Sequence, residues 1–326
     1  MRFELRFGPA RVRAITDVAA DVRMFEIVPA AGVQAYRPGS HLAISVLIDG
    51  RPDTRHYSLV GHDPFDGAYR IAVKKAPESR GGSDYMWRLQ AGAPIEVSEP
   101  RNLFEPTFGR PAYLLVAGGI GVTPMVGMAA AFARAGAAVR VLYGGRSRAL
   151  MPFADEIAAE VGPERLALYA DDEGQRMDLA GEIAALPEGG ELYVCGPIGL
   201  LDAARRAWAA AGRPDRLLRF ETFGSSGQFA PEAFTVSIPR LKLDIVVPEN
   251  RSLLSALEEA GVEVLSDCRR GECGLCQLDI VSTDGVLDHR DVFLSDHQKE
   301  EGHKICACVS RVARGNLVID TADRSL

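Results

Sequence analysis

The chain has 326 residues, 47% of them hydrophobic and 25% charged, which is the make-up of an ordinary globular protein. It is longer than one hydrophobic core normally organises, so two or three domains are expected. A formal net charge of -7 excludes a nucleic-acid binder, because nothing supplies the basic surface that phosphate neutralisation needs. The N-terminus, MRFELRFGPARVRAI, has no apolar stretch behind its charges and does not read as a signal peptide, so a cytoplasmic location is expected.

The first hundred residues read as short strands. ARVRAITDV, VRMFEIVPA, HLAISVLID, HYSLV, YRIAVKKA and APIEVSEP are each bounded by Gly, Pro or Asp, a spacing that predicts a small antiparallel barrel. Arg55-His56-Tyr57-Ser58 lies on one of these strands. There an Arg can pair with a phosphate, a Tyr can stack on a ring and a Ser hydroxyl can hydrogen-bond a flavin nitrogen. Val73-Lys74 and the turn Gly81-Gly82-Ser83 add to it, since a Gly-Gly-Ser turn ahead of a helix presents backbone N–H groups to a phosphate.

From about residue 110 strand and helix alternate. YLLVAG (113–118), VRVLYGG (139–145), LALYAD (166–171) and ELYVCG (191–196) are expected parallel strands, with Ala-rich helices between them, as in a doubly wound α/β nucleotide-binding domain. Residues 111–133 carry no charge and are long enough to span a bilayer, but Gly118, Gly119, Gly121 and Pro124 break the run into strand, turn and helix start. In Gly118-Gly119-Ile120-Gly121-Val122-Thr123-Pro124 the glycines permit a pyrophosphate to approach the backbone; the turn is not G-x-G-x-x-G. Cys195-Gly196-Pro197 ends the last of the four strands. Its thiol is either an inert buried group or a neighbour of a nicotinamide ring. For the nucleotide the signals conflict. Arg146 and Arg148 suit a 2′-phosphate, whereas Asp171-Asp172 suits a ribose hydroxyl, and the balance leans to NADH.

TFGSSGQFAPEAF (222–234) reads as a linker. Beyond it FTVSIPR and LKLDIVVPE form a hairpin, SLLSALEEAGV an amphipathic helix with Ser252 as N-cap, and QLDIVSTDGVL and LVIDTA further strands. Cys268, Cys273 and Cys276 in SDCRRGECGLCQL follow the C-x4-C-x2-C spacing of a plant-type [2Fe–2S] cluster, whose fourth thiolate comes from a distant segment. Gly271 and Gly274 let that loop wrap closely around the cluster. Cys306 and Cys308 both offer the fourth ligand. Neither paired C-x2-C knuckles nor C2H2 spacing is present, so a structural zinc site does not fit.

With R-x-Y-S, GGS, GGIGVTP, CGP and C-x4-C-x2-C in that order, the whole chain resembles the phthalate dioxygenase reductase family, which includes vanillate O-demethylase reductases. The resemblance implies an FMN-binding antiparallel β-barrel over residues 1–105, an NAD-binding doubly wound α/β domain over 106–228, and a β-grasp-like α+β [2Fe–2S] ferredoxin domain over 229–326. It implies FMN because the ferredoxin module stands at the C-terminus. Arg55, Tyr57 and Ser58 match flavin-strand residues, with Lys74 and Gly82-Ser83 in the flavin and phosphate region. Thr123 matches the turn near flavin and nicotinamide, Cys195 the cysteine beside the nicotinamide, and Glu221 and Phe223 the segment that closes over the flavin. Ser58, Thr123 and Cys195 are therefore the expected catalytic set. The family's final ligand lies in a CVSR segment, which Cys308-Val309-Ser310-Arg311 matches; Cys306 departs from the pattern.

The implied activity is that of an NADH-dependent reductase passing electrons through FMN and the cluster to a terminal Rieske-type oxygenase of an aromatic or related hydroxylation or demethylation system. A cytochrome P450 or other metalloenzyme as acceptor, and a redox-sensing protein without turnover, are the alternatives. Asp267, Glu272, Asp288 and Asp291 around the cluster segment either steer a basic docking face or form a generic solvated acidic surface.

Overall fold

The computed structural model describes residues 6–76, 79, 81–223, 227 and 229–320. They divide into two compact units, one up to Glu221 and one from Thr222 onward.

The first unit begins with strands β1 (Phe7–Ala19), β2 (Val22–Pro29), β3 (Ser40–Ile48), β4 (Arg51–Ser58), β5 (Tyr69–Lys74), β6 (Pro94–Ser98) and β7 (Arg101–Asn102), with one short helix, α1 (Gly82–Arg88). The sheet runs β4-β3-β6-β1-β2-β5, with β7 beside β3. Its two ends approach each other through an antiparallel bridge between Leu59 and Ile71 and a hydrogen bond from the Val60 N–H to the Arg70 carbonyl. The expected barrel is thus formed by curling of one antiparallel sheet. Alternate residues face inward, so Val12, Phe25, Ile27, Leu42, Ile44, Val46, Ile71 and Val97 fill the core.

The same unit continues with a parallel sheet. Strands β8 (Tyr113–Gly118), β9 (Val139–Gly145), β10 (Leu166–Ala170), β11 (Glu191–Gly196) and β12 (Leu218–Thr222) lie in the order β10-β9-β8-β11-β12. The pairs β8–β9, β9–β10 and β8–β11 are parallel. The interleaved helices are α2 (Val122–Arg134), α3 (Ala154–Val161), α4 (Leu179–Ala185) and α5 (Ile198–Ala210). Every residue of β8 and β11 is buried, as expected of central parallel strands covered on both faces. The uncharged run 111–133 resolves into β8, a glycine turn and the start of α2, and no helix among the described residues is long and apolar enough to cross a membrane.

In the second unit, strands β13 (Phe234–Ile238), β14 (Leu243–Val247), β15 (Gln277–Thr283), β16 (Val286–Asp288), β17 (Lys304–Cys306), β18 (Arg311–Ala313) and β19 (Leu317–Asp320) accompany helices α6 (Leu253–Glu259) and α7 (Asp296–Glu301). The main sheet runs β14-β13-β19-β15-β17, parallel only where β13 meets β19. Ser252 caps α6, its side chain accepting the Ser255 N–H. Leu253, Leu254 and Leu257 pack that helix into the core of the unit.

Two readings change. Residues 218–222 form a strand, so the linker expected at 222–234 begins one residue later, and its residues 224–226 and 228 lie outside the described ones. Its later part is fastened, because the buried Arg290 donates to the Phe229 carbonyl at 2.9 Å and Arg311 to the Glu232 carbonyl at 3.0 Å. The acidic docking face also fails. Asp288 and Asp291 are buried, and Glu272 accepts the Thr222 N–H at 2.8 Å while pairing with Arg270 at 3.1 Å.

Candidate electron-transfer sites

On the barrel, the β3–β4 hairpin sets Ser58 opposite His41 and His56 opposite Ala43. The Arg55 Nη1 pairs with Asp53 at 2.8 Å. Its stem lies over Gly82, where a Cβ would come within 2.9 Å of Arg55 Cγ and Cδ, so two motifs far apart in sequence are neighbours because position 82 has no side chain. The His56 ring meets His41 edge to face at 5.2 Å. Burial pushes the Tyr57 phenol well above its usual pKa, so it stays neutral.

Gly81 takes the left-handed conformation at φ 86° and α1 starts at Gly82. The Ser79 Oγ accepts the Gly81 N–H at 3.1 Å and the Asp84 N–H at 3.4 Å, and receives the Ser83 hydroxyl at 2.9 Å. These N–H groups are the kind a phosphate takes. Ser79 was not among the residues expected from sequence; its signal is a hydroxyl two positions ahead of the Gly-Gly turn.

Val73 and Lys74 end β5. The Lys74 ammonium lies 3.5 Å from Asp21 and 3.9 Å from where a Cβ of Gly119 would stand, which brings the end of β5 next to the glycine turn after β8. Gly119 has φ 54°, a conformation that favours glycine. Gly121 has an ordinary φ of -61°, yet a Cβ there would run into the Cys195 carbonyl and come within 2.8 Å of the Gly196 nitrogen. A Cβ on Gly118 would meet Pro197 Cδ at 2.8 Å. GGIG and CGP are therefore two halves of one surface beyond the carboxyl ends of β8 and β11. The Thr123 hydroxyl donates to the Ile120 carbonyl at 3.0 Å and fixes the turn.

Cys195 is fully buried at the end of β11. Glu221, also buried, accepts the Ser58 hydroxyl at 3.1 Å, which ties the flavin strand to the end of β12. Asp171 is exposed beyond β10, two strands away from β8, and so stands apart from the Cys195 group. Phe223, half-buried, follows β12 in the second unit.

In the cysteine loop Gly271 and Gly274 have φ of 78° and 70°. A side chain at Gly271 would come within 2.9 Å of the Asp291 Cα, and one at Gly274 would enter the Phe293 ring. The close wrap directs the Arg270 and Glu272 N–H groups at the Cys268 sulfur, each at 3.4 Å. Across from the loop, the Ala307 N–H donates to the Cys276 carbonyl at 3.1 Å, and β17 ends at Cys306, so Cys308 sits in the following turn rather than on the strand.

The Cys308 thiol donates to both Cys268 and Cys276, whereas Cys306 donates to Cys276. Those thiol donors, outweighing burial and helped by backbone N–H groups, hold Cys268 and Cys276 below the usual thiol range. Cys306 and Cys308 are pushed up, because thiols that donate to neighbouring thiolates resist ionising themselves. Cys273 is half-buried beside Cys268. Among the described residues no three His, Cys, Asp or Glu side chains form a site for a single metal ion. A [2Fe–2S] cluster asks for something else, four thiolates shared over two irons with N–H groups aimed at sulfur, and this donor set fits it.

Both domains have counterparts among known proteins. Residues 9–105 match the oxidoreductase FAD-binding domain family and residues 238–313 the 2Fe-2S iron-sulfur cluster binding domain family. The phenoxybenzoate dioxygenase subunit beta of Ectopseudomonas oleovorans is 35% identical over 95% of this chain and 96% of its own length. A solved phthalate dioxygenase reductase, described as modular and transferring electrons from pyridine nucleotides to [2Fe–2S], superposes with TM-score 0.79 at 32% identity, covering 96% of this chain and 98% of its own. An intact type IV self-sufficient cytochrome P450 monooxygenase matches with TM-score 0.67 at 32% identity, over 98% of this chain and 43% of its own. With a relative this similar along nearly its whole length, and both cofactor domains matched in order, the chain belongs to the phthalate dioxygenase reductase-like family of flavin and [2Fe–2S] oxidoreductases.

Proposed function

We propose that the protein is the NADH-dependent reductase component of a Rieske-type oxygenase system, working in the cytoplasm. The barrel up to about residue 105 would hold FMN, residues 106–228 NADH, and the remainder the cluster. The observation that carries the reading is the meeting of Lys74 with Gly119 and of Ser58 with Glu221, which sets the flavin strand against the nucleotide surface.

A flavin held by the barrel would supply the conversion between a two-electron hydride donor and a one-electron cluster. The chain's own residues position and insulate. Arg55, with Gly81, Gly82 and Ser83, would hold the flavin phosphate, that of FMN in this reading. Tyr57, kept neutral by burial, offers a ring face for stacking. Ser58, Thr123 and Cys195 would lie where flavin and nicotinamide meet. Gly118, Gly121 and Gly196 let the two loops pack together into the surface that would receive the nucleotide, Gly119 would leave its backbone open toward it, and Asp171 would accept a ribose hydroxyl. Glu221 would close the flavin site. Cys268, Cys273, Cys276 and Cys308 would ligate the cluster; Cys308, in the turn after β17, is preferred over Cys306 because its CVSR segment matches the family's final ligand. All six cysteines are free thiols, a state that a reducing compartment preserves.

A haem acceptor is the second reading, favoured by the similarity to a P450 monooxygenase that carries such a segment within its own chain. Anaerobic titration of the purified protein with NADH tests the main one. Flavin and iron–sulfur bands should bleach with about three electrons per chain, two for a flavin and one for a cluster. Released flavin should run as FMN. Reoxidation by a Rieske oxygenase but not by a P450 selects the acceptor, and a protein whose bands NADH leaves untouched is not a reductase.

A further inference from the structure

We propose that Asp21 and Glu173 set the preference for NADH over NADPH, by holding Arg146 and Arg148 in ion pairs that a 2′-phosphate would have to break. The inference rests on the reading of the parallel sheet as an NADH site.

Both arginines follow β9, and the Asp171–Glu173 turn follows β10. In a doubly wound sheet the nucleotide lies beyond such strand ends, and an arginine there is the usual partner of a 2′-phosphate. The two loops are joined by a hydrogen bond of 3.0 Å from the Asp172 N–H to the Arg146 carbonyl. Sequence alone left these arginines as candidates for phosphate binding, but in the structure each is already occupied. The Arg146 Nη2 lies 2.9 Å from Asp21, a carboxylate of the β1–β2 turn that also takes Lys74. Arg148 forms a two-pronged contact with Glu173, Nε at 2.7 Å and Nη2 at 3.0 Å, and Gln175 accepts from the same nitrogen at 3.4 Å. That fork is the geometry by which an arginine binds a phosphate, so the Glu173 carboxylate stands in the phosphate's place.

Asp171 and Asp172 are exposed in the same turn as Glu173, which adds negative charge next to that pair. A ribose hydroxyl can donate into such a field, whereas a phosphate must displace a carboxylate from each arginine and remain next to it. Arg148 and Glu173 are about half exposed and therefore screened, so neither pair rejects NADPH outright. Discrimination comes from the exchange of partners.

The test compares kcat/KM for NADPH and NADH in the cofactor-loaded protein with ferricyanide as acceptor, for wild type, Glu173→Gln, Asp21→Asn and the double variant. Inhibition by 2′-AMP and 5′-AMP is measured alongside. The NADPH/NADH ratio should rise about three- to tenfold in the double variant, the scale of two exposed ion pairs. Binding of 2′-AMP should tighten in Glu173→Gln alone, with 5′-AMP unchanged. An unaltered ratio and unaltered 2′-AMP binding, in a protein that still prefers NADH, would overturn the inference. A wild-type protein that prefers NADPH would overturn the NADH reading beneath it.

Discussion

The Ser58 hydroxyl donates to the Glu221 carboxylate at 3.1 Å, and both residues are buried. One ends the flavin strand β4 and the other lies in the last strand of the nucleotide sheet. The pair therefore holds a hydroxyl and a carboxylate where hydride transfer is proposed to occur. Ser58→Ala and Glu221→Gln should retain flavin while slowing its reduction by NADH. A hydrogen bond to a charged group is worth about 1.5–3 kcal/mol, which is about ten- to a hundredfold in rate if it is felt only in the transition state. Stopped-flow reduction at saturating NADH measures this, and wild-type rates in both variants would remove the pair from the chemistry.

Substituting the two candidate fourth ligands should separate them. Cys308 lies in the turn after β17 and is slightly exposed, while Cys306 ends that strand and is wholly buried. Cys308→Ser should lose most of its iron and acid-labile sulfide and the visible cluster bands. Cys306→Ser should keep both, with altered cluster absorption. Iron retention in Cys308→Ser together with iron loss in Cys306→Ser would reverse the assignment.

Much of this was legible in the sequence because it is local. YLLVAG and ELYVCG are uninterrupted apolar runs that end in glycine, so they are strands buried on both faces wherever they lie, and the C-x4-C-x2-C spacing fixes a loop by itself. What sequence misread depends on distant partners. Asp288 and Asp291 look like surface acids until Arg290, Ser310 and His289 are seen folded around them. Arg146 and Arg148 look available until Asp21, 125 positions away, and Glu173 close on them. Strand β12 was hidden because RFET is short and runs straight into a Gly-Ser segment.

Glu191 shows a stabilising role for a buried carboxylate. It is wholly buried at the start of β11 and pairs with Arg219 at 2.7 Å. It also accepts the Tyr193 hydroxyl at 2.9 Å and the Thr107 hydroxyl. Tyr193, pushed up to about 12 chiefly by burial, remains a donor throughout the working range. Glu191→Gln keeps the shape and removes the charge. Since Arg219 is partly solvated, the expected cost is about 1–3 kcal/mol. At about 2–4 °C per kcal/mol for a unit of this size, thermal unfolding followed by circular dichroism should move down by several degrees with NADH oxidation intact below the transition.

Asp291 ties the cluster unit to pH. Burial alone would raise its pKa, but His289, the Leu294 N–H, the Ser310 hydroxyl and the Lys299 charge together outweigh burial and leave it below the ordinary aspartate value. The Leu294 N–H and the Ser310 hydroxyl both donate at 2.9 Å. A carboxyl whose folded pKa is depressed contributes stability that is complete above its unfolded pKa, about 3.9, and is lost as pH falls through the lower folded value. Wild type should therefore hold its cluster absorption at neutral pH and lose it in acid, part of the loss lying below about pH 4. Asp291→Asn cannot lose a charge it lacks. Its unit should be weaker at pH 7, because neutral Asn forfeits the attraction of Lys299, and should show a shallower acid limb. An acid bleaching curve in Asp291→Asn that is parallel to wild type, shifted or not, would mean that the proton responsible is taken up elsewhere.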